Sequence, residues 1–196
     1  MVRTIVLLAW PWNFEKENKI NKNKGITMPD VFVMMGSASD KDKMKPCLQV
    51  LADLGIKAQV AVSSAHRTPE RTGDLVDNAE KNGVKVFICA AGMAAHLAGA
   101  VAARTIRPVI GVPITGSALA GLDALLSTVQ MPPGFPVATT ALDSAGARNA
   151  AWLAAQILAV EDRELAEKIE KAREKMREGV EKSSREVEEE FARDTA

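Results

Sequence analysis

Side chains that carry reactive chemistry are scarce in this chain, which has no tyrosine, two cysteines and two histidines among 196 residues. Cys47 and Cys89 each lie within an apolar pattern and lack the spacing of a zinc knuckle or a disulfide framework. We therefore expect two buried free thiols in a reducing compartment, which favours a cytoplasmic protein. The two histidines, His66 and His96, stand in segments of unusual composition, SSAHRTPER and GMAAHLAGA.

An excess of positive charge is also absent, because Lys plus Arg and Asp plus Glu each number 25. Proteins that bind nucleic acids or membrane surfaces usually carry a basic footprint that shows in the total charge. The balance therefore argues against both of these classes of protein.

A long hydrophobic run is missing as well. The N-terminal segment IVLLAWPW is only eight residues long, far short of the roughly 20 residues that a membrane-spanning helix needs. The polar segment that follows it offers no small-residue cleavage site, so no signal peptide is predicted. We interpret residues 1–27 as a poorly ordered extension ahead of a domain that starts at Met28. The alternative is that Trp10 and Trp12 dock on a neighbouring subunit.

From residue 31 onward, short apolar runs alternate with helical patterns. The runs VFVMM, AQVAV, VKVFICAA, PVIGVPI and FPVATTAL predict five strands, and Pro46 should kink the first helix or delay its start. Strands separated by helices of this length form parallel sheets that are covered on both faces. The expected fold over residues 28–160 is α/β, a three-layer αβα sandwich with ligands at the carboxyl ends of its strands.

The tail, residues 161–196, has a different pattern. Among its many charged residues, apolar side chains recur at three- and four-residue spacing, namely Leu165, Ile169, Ala172, Met176 and Val180. This spacing predicts one amphipathic helix. We expect its narrow apolar stripe to pack on a neighbouring subunit rather than to lie in solvent.

The first of three loops at predicted strand ends is GSASD. Gly36 allows close approach to the backbone, Ser37 and Ser39 offer hydroxyls, and the free N–H groups of the next helix favour an anion. Asp40 could accept hydrogen bonds from sugar hydroxyls. The same residues are also typical of an ordinary helix cap, and from the loop alone both interpretations stay open.

The other two loops hold the histidines. In SSAHRTP, Arg67 can bind a phosphate with two parallel hydrogen bonds, and His66 can transfer protons near neutral pH. In CAAGMAAHLAG, small residues would let a planar ligand lie against the backbone. His96 is either a second catalytic group or a cap and buttress of the helix start, and its neighbours favour the second interpretation.

Several segments together resemble one family. MGSASD, SSAHRTP, AAGMAAHLAG, GVPITGSALAGLDALLSTVQMPPGFPVAT and AGARNAAWLAAQIL, in this order, are similar to the bacterial 5-(carboxyamino)imidazole ribonucleotide mutases of purine biosynthesis. The resemblance runs from about Val31 to Val160. It implies a flavodoxin-like sandwich assembled into a homo-octamer, with a small ribonucleotide as substrate. It also implies that the substrate's carboxylate moves from the exocyclic nitrogen to C4 of the imidazole without a metal or an organic cofactor.

The resemblance also implies roles for individual residues. His66 matches the catalytic histidine. The ribose phosphate end would be bound by Ser37, Asp40 and Arg67, with Ser39 assisting. The imidazole and carboxylate pocket would be lined by Ser64, Ala65, Ala91, Gly92, His96 and Leu97.

Five positions depart from the family pattern, and one of them is Pro46 in the first helix. The family usually carries GAGGAAHLPG in the third loop, where this chain has Ala90 and Met93 in place of glycines and Ala98 in place of the proline. Asp143 stands where a glycine is usual. We expect Met93 to narrow the pocket or to shift the loop.

Two alternatives remain open at this stage. The first is a direct carboxylase, which adds carbon dioxide to aminoimidazole ribonucleotide. That type usually carries SAHK where this chain has SAHRTP, so the mutase is favoured. The second is a non-catalytic nucleotide-binding module, for which the GSASD loop and the amphipathic tail would suffice. A non-catalytic module would not explain why His66 and Arg67 stand next to each other in a polar loop.

Overall fold

The computed structural model describes residues 28–194 of the chain. At its centre lies a parallel sheet of five strands. The strands are β1 Val31–Met35, β2 Ala58–Val62, β3 Val86–Gly92, β4 Val109–Ile114 and β5 Ala138–Thr139. Their order in the sheet, β2-β1-β3-β4-β5, is that of flavodoxin-like folds, so the predicted α/β sandwich is confirmed.

Helices connect the strands, and a single long helix ends the described chain. A short 3₁₀ helix, Ala38–Asp40, precedes α1. The helices are α1 Lys41–Asp53, α2 Pro69–Lys81, α3 Leu97–Ala102, α4 Leu122–Val129, α5 Asp143–Ala159 and α6 Arg163–Asp194. None of the helices within residues 28–194 is long and apolar enough to cross a membrane.

The core is built around the central strands. Phe32 and Met34 of β1 belong to one buried cluster with Val76 of α2 and Phe87 of β3, and the two phenyl rings lie 6.0 Å apart between centroids. Burying a side chain of this size contributes about 1.5–3 kcal/mol. Because β1 is buried along its whole length, its carboxyl end is held rigidly.

The pairing register aligns the carboxyl-terminal parts of β1, β2 and β3. Met35, the last residue of β1, lies opposite Val62 on one side and Ala90 on the other. The loops that leave these strands therefore begin side by side at one edge of the sheet.

Several predicted boundaries were wrong. The strand predicted for FPVATTAL contracts to the two residues of β5, because Pro136 has no N–H to donate and β5 lies at the edge of the sheet. In the segment AAHLAGAVAARTI, whose pattern predicts a helix along its length, only α3 is helical. Pro46 does not delay α1, which begins five residues earlier at Lys41 and retains the proline in its interior.

The two thiols are free and buried, as predicted. Burial raises the pKa of Cys47 to about 12 and also raises that of Cys89. Both groups are therefore protonated and unreactive at neutral pH.

The described chain divides into two compact units, of which the first ends at Ile157 and the second begins at Leu158. The second unit consists of the end of α5 and the 32-residue helix α6, so the prediction of one amphipathic helix in the tail is confirmed. The predictions for residues 1–27, including the docking of Trp10 and Trp12, lie outside the described residues.

One glycine tests the packing of the first unit. Gly146 is buried in α5, and a Cβ added there would lie 1.5 Å from the carbonyl oxygen of Ala141. We expect Gly146→Ala to lower the free energy of unfolding by about 1–3 kcal/mol, because the backbone must shift to make room. Urea denaturation measures the change. The matched control is Gly179→Ala in α6, where a Cβ meets nothing within 4 Å. It should raise stability by up to about 1 kcal/mol through helix propensity, and equal losses in both variants would contradict the prediction.

Candidate active site

A cleft of about 550 Å³ opens at the carboxyl ends of β1 to β4. It lies where the strand order reverses between β1 and β3, which is the usual ligand site of such folds. All eleven residues predicted for the site line this cleft, namely Ser37, Ser39, Asp40, Ser64, Ala65, His66, Arg67, Ala91, Gly92, His96 and Leu97. A larger cavity of about 770 Å³ lies by the amino ends of β4 and β5 and contains none of them. The residues predicted for the site are therefore gathered in the smaller cleft.

One end of the cleft is suited to an anion. The Oγ of Ser37 accepts a hydrogen bond from the Ser39 N–H at 3.3 Å and lies 2.8 Å from the Ser39 Oγ. The Arg67 guanidinium donates to the Gly36 carbonyl at 3.2 Å and to the Ser64 Oγ at 3.2 Å. A guanidinium has five N–H donors, so these two bonds position the group and leave donors for a ligand.

Asp40 is the buried carboxyl group of the cleft and accepts a hydrogen bond from the Ser39 hydroxyl at 3.1 Å. Burial is the largest influence and raises the pKa of Asp40 above its ordinary value, although the hydrogen bond from Ser39 opposes this shift. The folded protein thus disfavours the charged form of a group that is well placed to accept hydrogen bonds from a ligand.

We expect Asp40→Asn to raise KM about tenfold, because a hydrogen bond to a charged group is worth about 1.5–3 kcal/mol and an amide replaces it only in part. The variant should also be more stable near neutral pH. Because its folded-state pKa is raised, Asp40 stabilises the fold below its unfolded-state pKa, and this contribution is lost as pH rises through the folded-state pKa.

Urea denaturation from about pH 3 to about pH 7, a range that spans the ordinary carboxyl pKa values, measures this difference. The variant should gain stability relative to the original chain as pH rises. A difference that does not change with pH would contradict the assignment.

The two histidines meet at the other end of the cleft. His66 Nε2 lies 2.9 Å from His96 Nδ1, and the rings are 4.9 Å apart between centroids at an angle of 76°. Two protonated nitrogens would repel each other at this distance. One of the two facing nitrogens therefore carries a proton and donates it in a hydrogen bond to the other. Of the two structural roles predicted for His96, cap or buttress of the helix start, the cap is wrong, because the side chain makes no capping hydrogen bond and the backbone is helical rather than extended.

The third loop accommodates its unusual residues without filling the cleft. Met93 has a positive φ of 57° and its side chain is 64% exposed, so it stands at the mouth of the cleft. Ala90 and Ala98 are buried and do not line it. Gly92 is required by close packing, since a Cβ there would lie 2.8 Å from the Ile114 carbonyl oxygen.

Sequence reasoning missed one polar group beside the cleft. Thr115 lines the cleft, and its N–H and hydroxyl both donate to the Asp143 carboxylate, at 2.9 and 2.6 Å. Lys43 forms an ion pair with Asp143 at 2.9 Å and donates to the Thr115 carbonyl at 2.7 Å. These bonds hold Asp143 at a φ of 54°, a conformation that favours glycine.

Burial raises the pKa of Asp143, but the hydrogen bonds from Thr115 and Lys43 outweigh burial, so the pKa is lowered. The aspartate therefore stays charged and ties the start of α5 to the loop after β4. Asp143 was noticed in the sequence as a departure from the family. Its partners were not, because Lys43 and Thr115 lie 72 residues apart in the chain.

Metal-binding side chains are not grouped in this part of the chain. Among residues 28–194, no cluster of three or more histidine, cysteine, aspartate or glutamate residues could hold a metal ion.

Known proteins are similar to this chain in sequence and in fold. The model of the AIR carboxylase family matches residues 30–179. The N5-carboxyaminoimidazole ribonucleotide mutase of Pyrococcus abyssi is 52% identical over 152 residues, which cover 78% of this chain and 86% of that protein. The mutase of the same name from Bacillus subtilis is 49% identical over 156 residues, 80% of this chain and 96% of that protein. The crystal structure of Treponema denticola PurE superposes with a TM-score of 0.74 at 28% identity, covering 81% of this chain and 98% of that one.

Proposed function

The chain belongs to the AIR carboxylase family, and we propose that it acts as an N5-carboxyaminoimidazole ribonucleotide mutase in purine biosynthesis. It is an isomerase that moves the carboxylate of its substrate from the exocyclic nitrogen to C4 of the imidazole ring, as the names of its relatives support. The observation that carries the site assignment is that one cleft has an arginine and serines at one end and two histidines in contact at the other.

The anion end of the cleft would bind the ribose phosphate. Arg67 and the hydroxyls of Ser37 and Ser39 offer the donors that a phosphate needs, and Asp40 accepts from the sugar hydroxyls. In this orientation the imidazole ring would lie toward the histidines, beside the small side chains of Ala65, Ala91 and Gly92 and near Leu97. Ser64 holds Arg67 in position through the bond to its Nε.

His66 would move one proton twice. It protonates the exocyclic nitrogen of the carbamate, and the C–N bond breaks to release carbon dioxide and the free amine. The electron-rich C4 then attacks carbon dioxide and forms the new C–C bond. His66 removes the C4 proton, which restores the aromatic ring and returns the histidine to its initial protonated state. The reaction therefore consumes no net proton.

His96 is a positioning residue in this scheme. Its Nδ1 contacts His66 Nε2, which selects the tautomer and the orientation of the His66 ring. The small side chains around the ring would keep carbon dioxide beside C4, and holding the two reactants together in this way lowers the barrier to their recombination.

Copies of the chain would associate in the cytoplasm as an octamer, the assembly that the resemblance to the mutases implies. Exposed apolar side chains form a stripe on and before α4 and support this proposal. They lie three or four residues apart and are 47% to 62% exposed, namely Leu119, Leu122, Leu126 and Val129. An apolar helix face of this kind is typical of a subunit interface.

Isotope transfer tests the reaction. We would follow carbon-13 NMR of the purified protein with substrate labelled in its carbamate carboxylate, beside a second tube with unlabelled aminoimidazole ribonucleotide and labelled bicarbonate. Label that passes from nitrogen to C4 faster than it exchanges with bicarbonate establishes the mutase. Label that enters C4 chiefly from bicarbonate means direct carboxylation, and no labelled C4 in either tube would refute both reactions.

A further inference from the structure

The apolar side chains of α6 repeat every eleven residues. Leu165, Met176 and Val187 are spaced by eleven, and a second series at the same interval consists of Ile169, Val180 and Phe191. Eleven residues in three turns correspond to about 3.67 residues per turn, close to the period of a straight helix. The stripe therefore stays on one face of α6 to its end. Its last four members, from Met176 to Phe191, are 51% to 71% exposed.

Most of this exposed stripe follows the last residue that the family model matches. The family match ends at residue 179, whereas α6 continues to Asp194. Val180, Val187 and Phe191 all follow residue 179. At about 1.5 Å per residue, the segment from Met176 to Phe191 is about 22 Å long, enough to pair with another helix over four turns.

The residues beside the stripe carry positive charge near Met176 and negative charge near Val187. Arg177 and Lys175 flank the stripe near Met176, on opposite sides of it. Glu188 lies on the same side as Arg177 and flanks the stripe near Val187. Glu186 lies on the same side as Lys175. One end of the stripe is thus bordered by cations and the other by anions.

We propose that the α6 helices of two copies of the chain pair antiparallel through this stripe, with the centre between Glu181 and Lys182. In this register, Met176 lies opposite Val187 of the second copy, and Val180 lies opposite Ser183. The interaction surface is thus self-complementary, and its partner is a second copy of the same helix. It does not depend on the proposed reaction.

The charges select the antiparallel orientation. In an antiparallel pair, each side of a stripe faces the same side of its partner, so Arg177 faces Glu188 of the second copy and Lys175 faces Glu186. In a parallel pair, each side faces the opposite side, which would bring Arg177 to Lys175 and Glu188 to Glu186. Like charges that face each other destabilise a helix pair, and unlike charges stabilise it.

Existing contacts within α6 do not compete strongly with this pairing. Arg177 pairs with Glu174, and Lys182 with Glu186, on the exposed surface of the helix. Exposed pairs within one helix contribute little to stability, so these side chains can turn to a second helix.

Disulfide trapping tests the register in the full chain. In the double variant Met176→Cys/Val187→Cys, each new thiol lies opposite the other in the second copy, so oxidation should convert most of the protein to a covalent dimer. The matched controls are the single variants Met176→Cys and Val187→Cys. In an antiparallel pair, a thiol at position 176 is about 16 Å along the axis from its own counterpart. That distance exceeds the reach of a disulfide, so each single variant should stay monomeric on a non-reducing gel.

Trapping of a single variant as readily as the double variant would mean parallel pairing and would overturn the proposal. The absence of covalent dimer in every variant would also overturn it. Charge reversal gives an independent readout with all cysteines unchanged. Arg177→Glu should weaken association of the chain in sedimentation experiments, and Arg177→Glu/Glu188→Arg should restore it. Failure of the double reversal to restore association would contradict the predicted contact.

Discussion

His66→Asn is expected to lower kcat about a thousandfold, because a positioned general acid–base group contributes about 10² to 10⁴ to the rate. Asparagine can keep a hydrogen bond to His96, but it cannot take up and return a proton near neutral pH. The proton that must reach the exocyclic nitrogen and later leave C4 would then have no carrier. Steady-state kinetics measures the loss, and binding of the product by calorimetry should change little.

The matched control is His96→Asn. In the original chain, His66 Nε2 lies 2.9 Å from His96 Nδ1. The asparagine amide can still form a hydrogen bond to His66 Nε2. If His96 only positions His66, this variant should lose about tenfold in kcat, which corresponds to about 1.4 kcal/mol. Equal losses in the two variants would mean that the pair acts as one unit. Full activity of His66→Asn would refute the proposed proton transfer.

Arg67→Met is expected to raise KM about a hundredfold with a smaller change in kcat. The guanidinium is positioned by Gly36 and Ser64 at the anion end of the cleft. Loss of one partner from a hydrogen-bonded charge pair costs about 2–5 kcal/mol, and this cost should fall on substrate binding because the phosphate does not react. Initial rates over a range of substrate concentrations measure the change.

A substrate without its phosphate sharpens this test. The original chain and Arg67→Met should process the corresponding nucleoside with equal efficiency, because the interaction is already absent. The same substitution at Arg107, an exposed residue outside the cleft, is the control and should leave KM unchanged. If Arg67→Met discriminated against the nucleoside as strongly as the original chain does, phosphate recognition would have to lie elsewhere.

Much of the fold could be predicted from local patterns. The runs VFVMM and AQVAV coincide with β1 and β2. For β1 the reason is that a strand buried on both faces has a continuous apolar sequence, whereas β2 lies at the edge of the sheet and is only partly buried. The pattern was less informative for β5. Its predicted segment extends beyond the two residues that pair with β4, and Pro136 within that segment has no N–H to donate.

The site could be predicted in outline for a different reason. Parallel strands bring their carboxyl ends to one edge, so the segments 36–40, 63–68 and 93–96 that follow them had to lie near each other once the strands were assigned. The resemblance to the mutases then supplied roles for individual side chains. Neither argument predicted the direct contact of His66 with His96, and the interpretation of His96 as a helix cap was wrong.

The sequence by itself determined the alternation of strands and helices, the polar loops at the strand ends, the membership of the family and the amphipathic nature of α6. All of these depend on residue type and on spacing over a few turns. Only the tertiary structure decided which side chains touch. The 2.9 Å contact between histidines 30 residues apart and the network of Lys43, Thr115 and Asp143 depend on how separate elements pack. A small shift in that packing would break the contacts while leaving the sequence pattern unchanged.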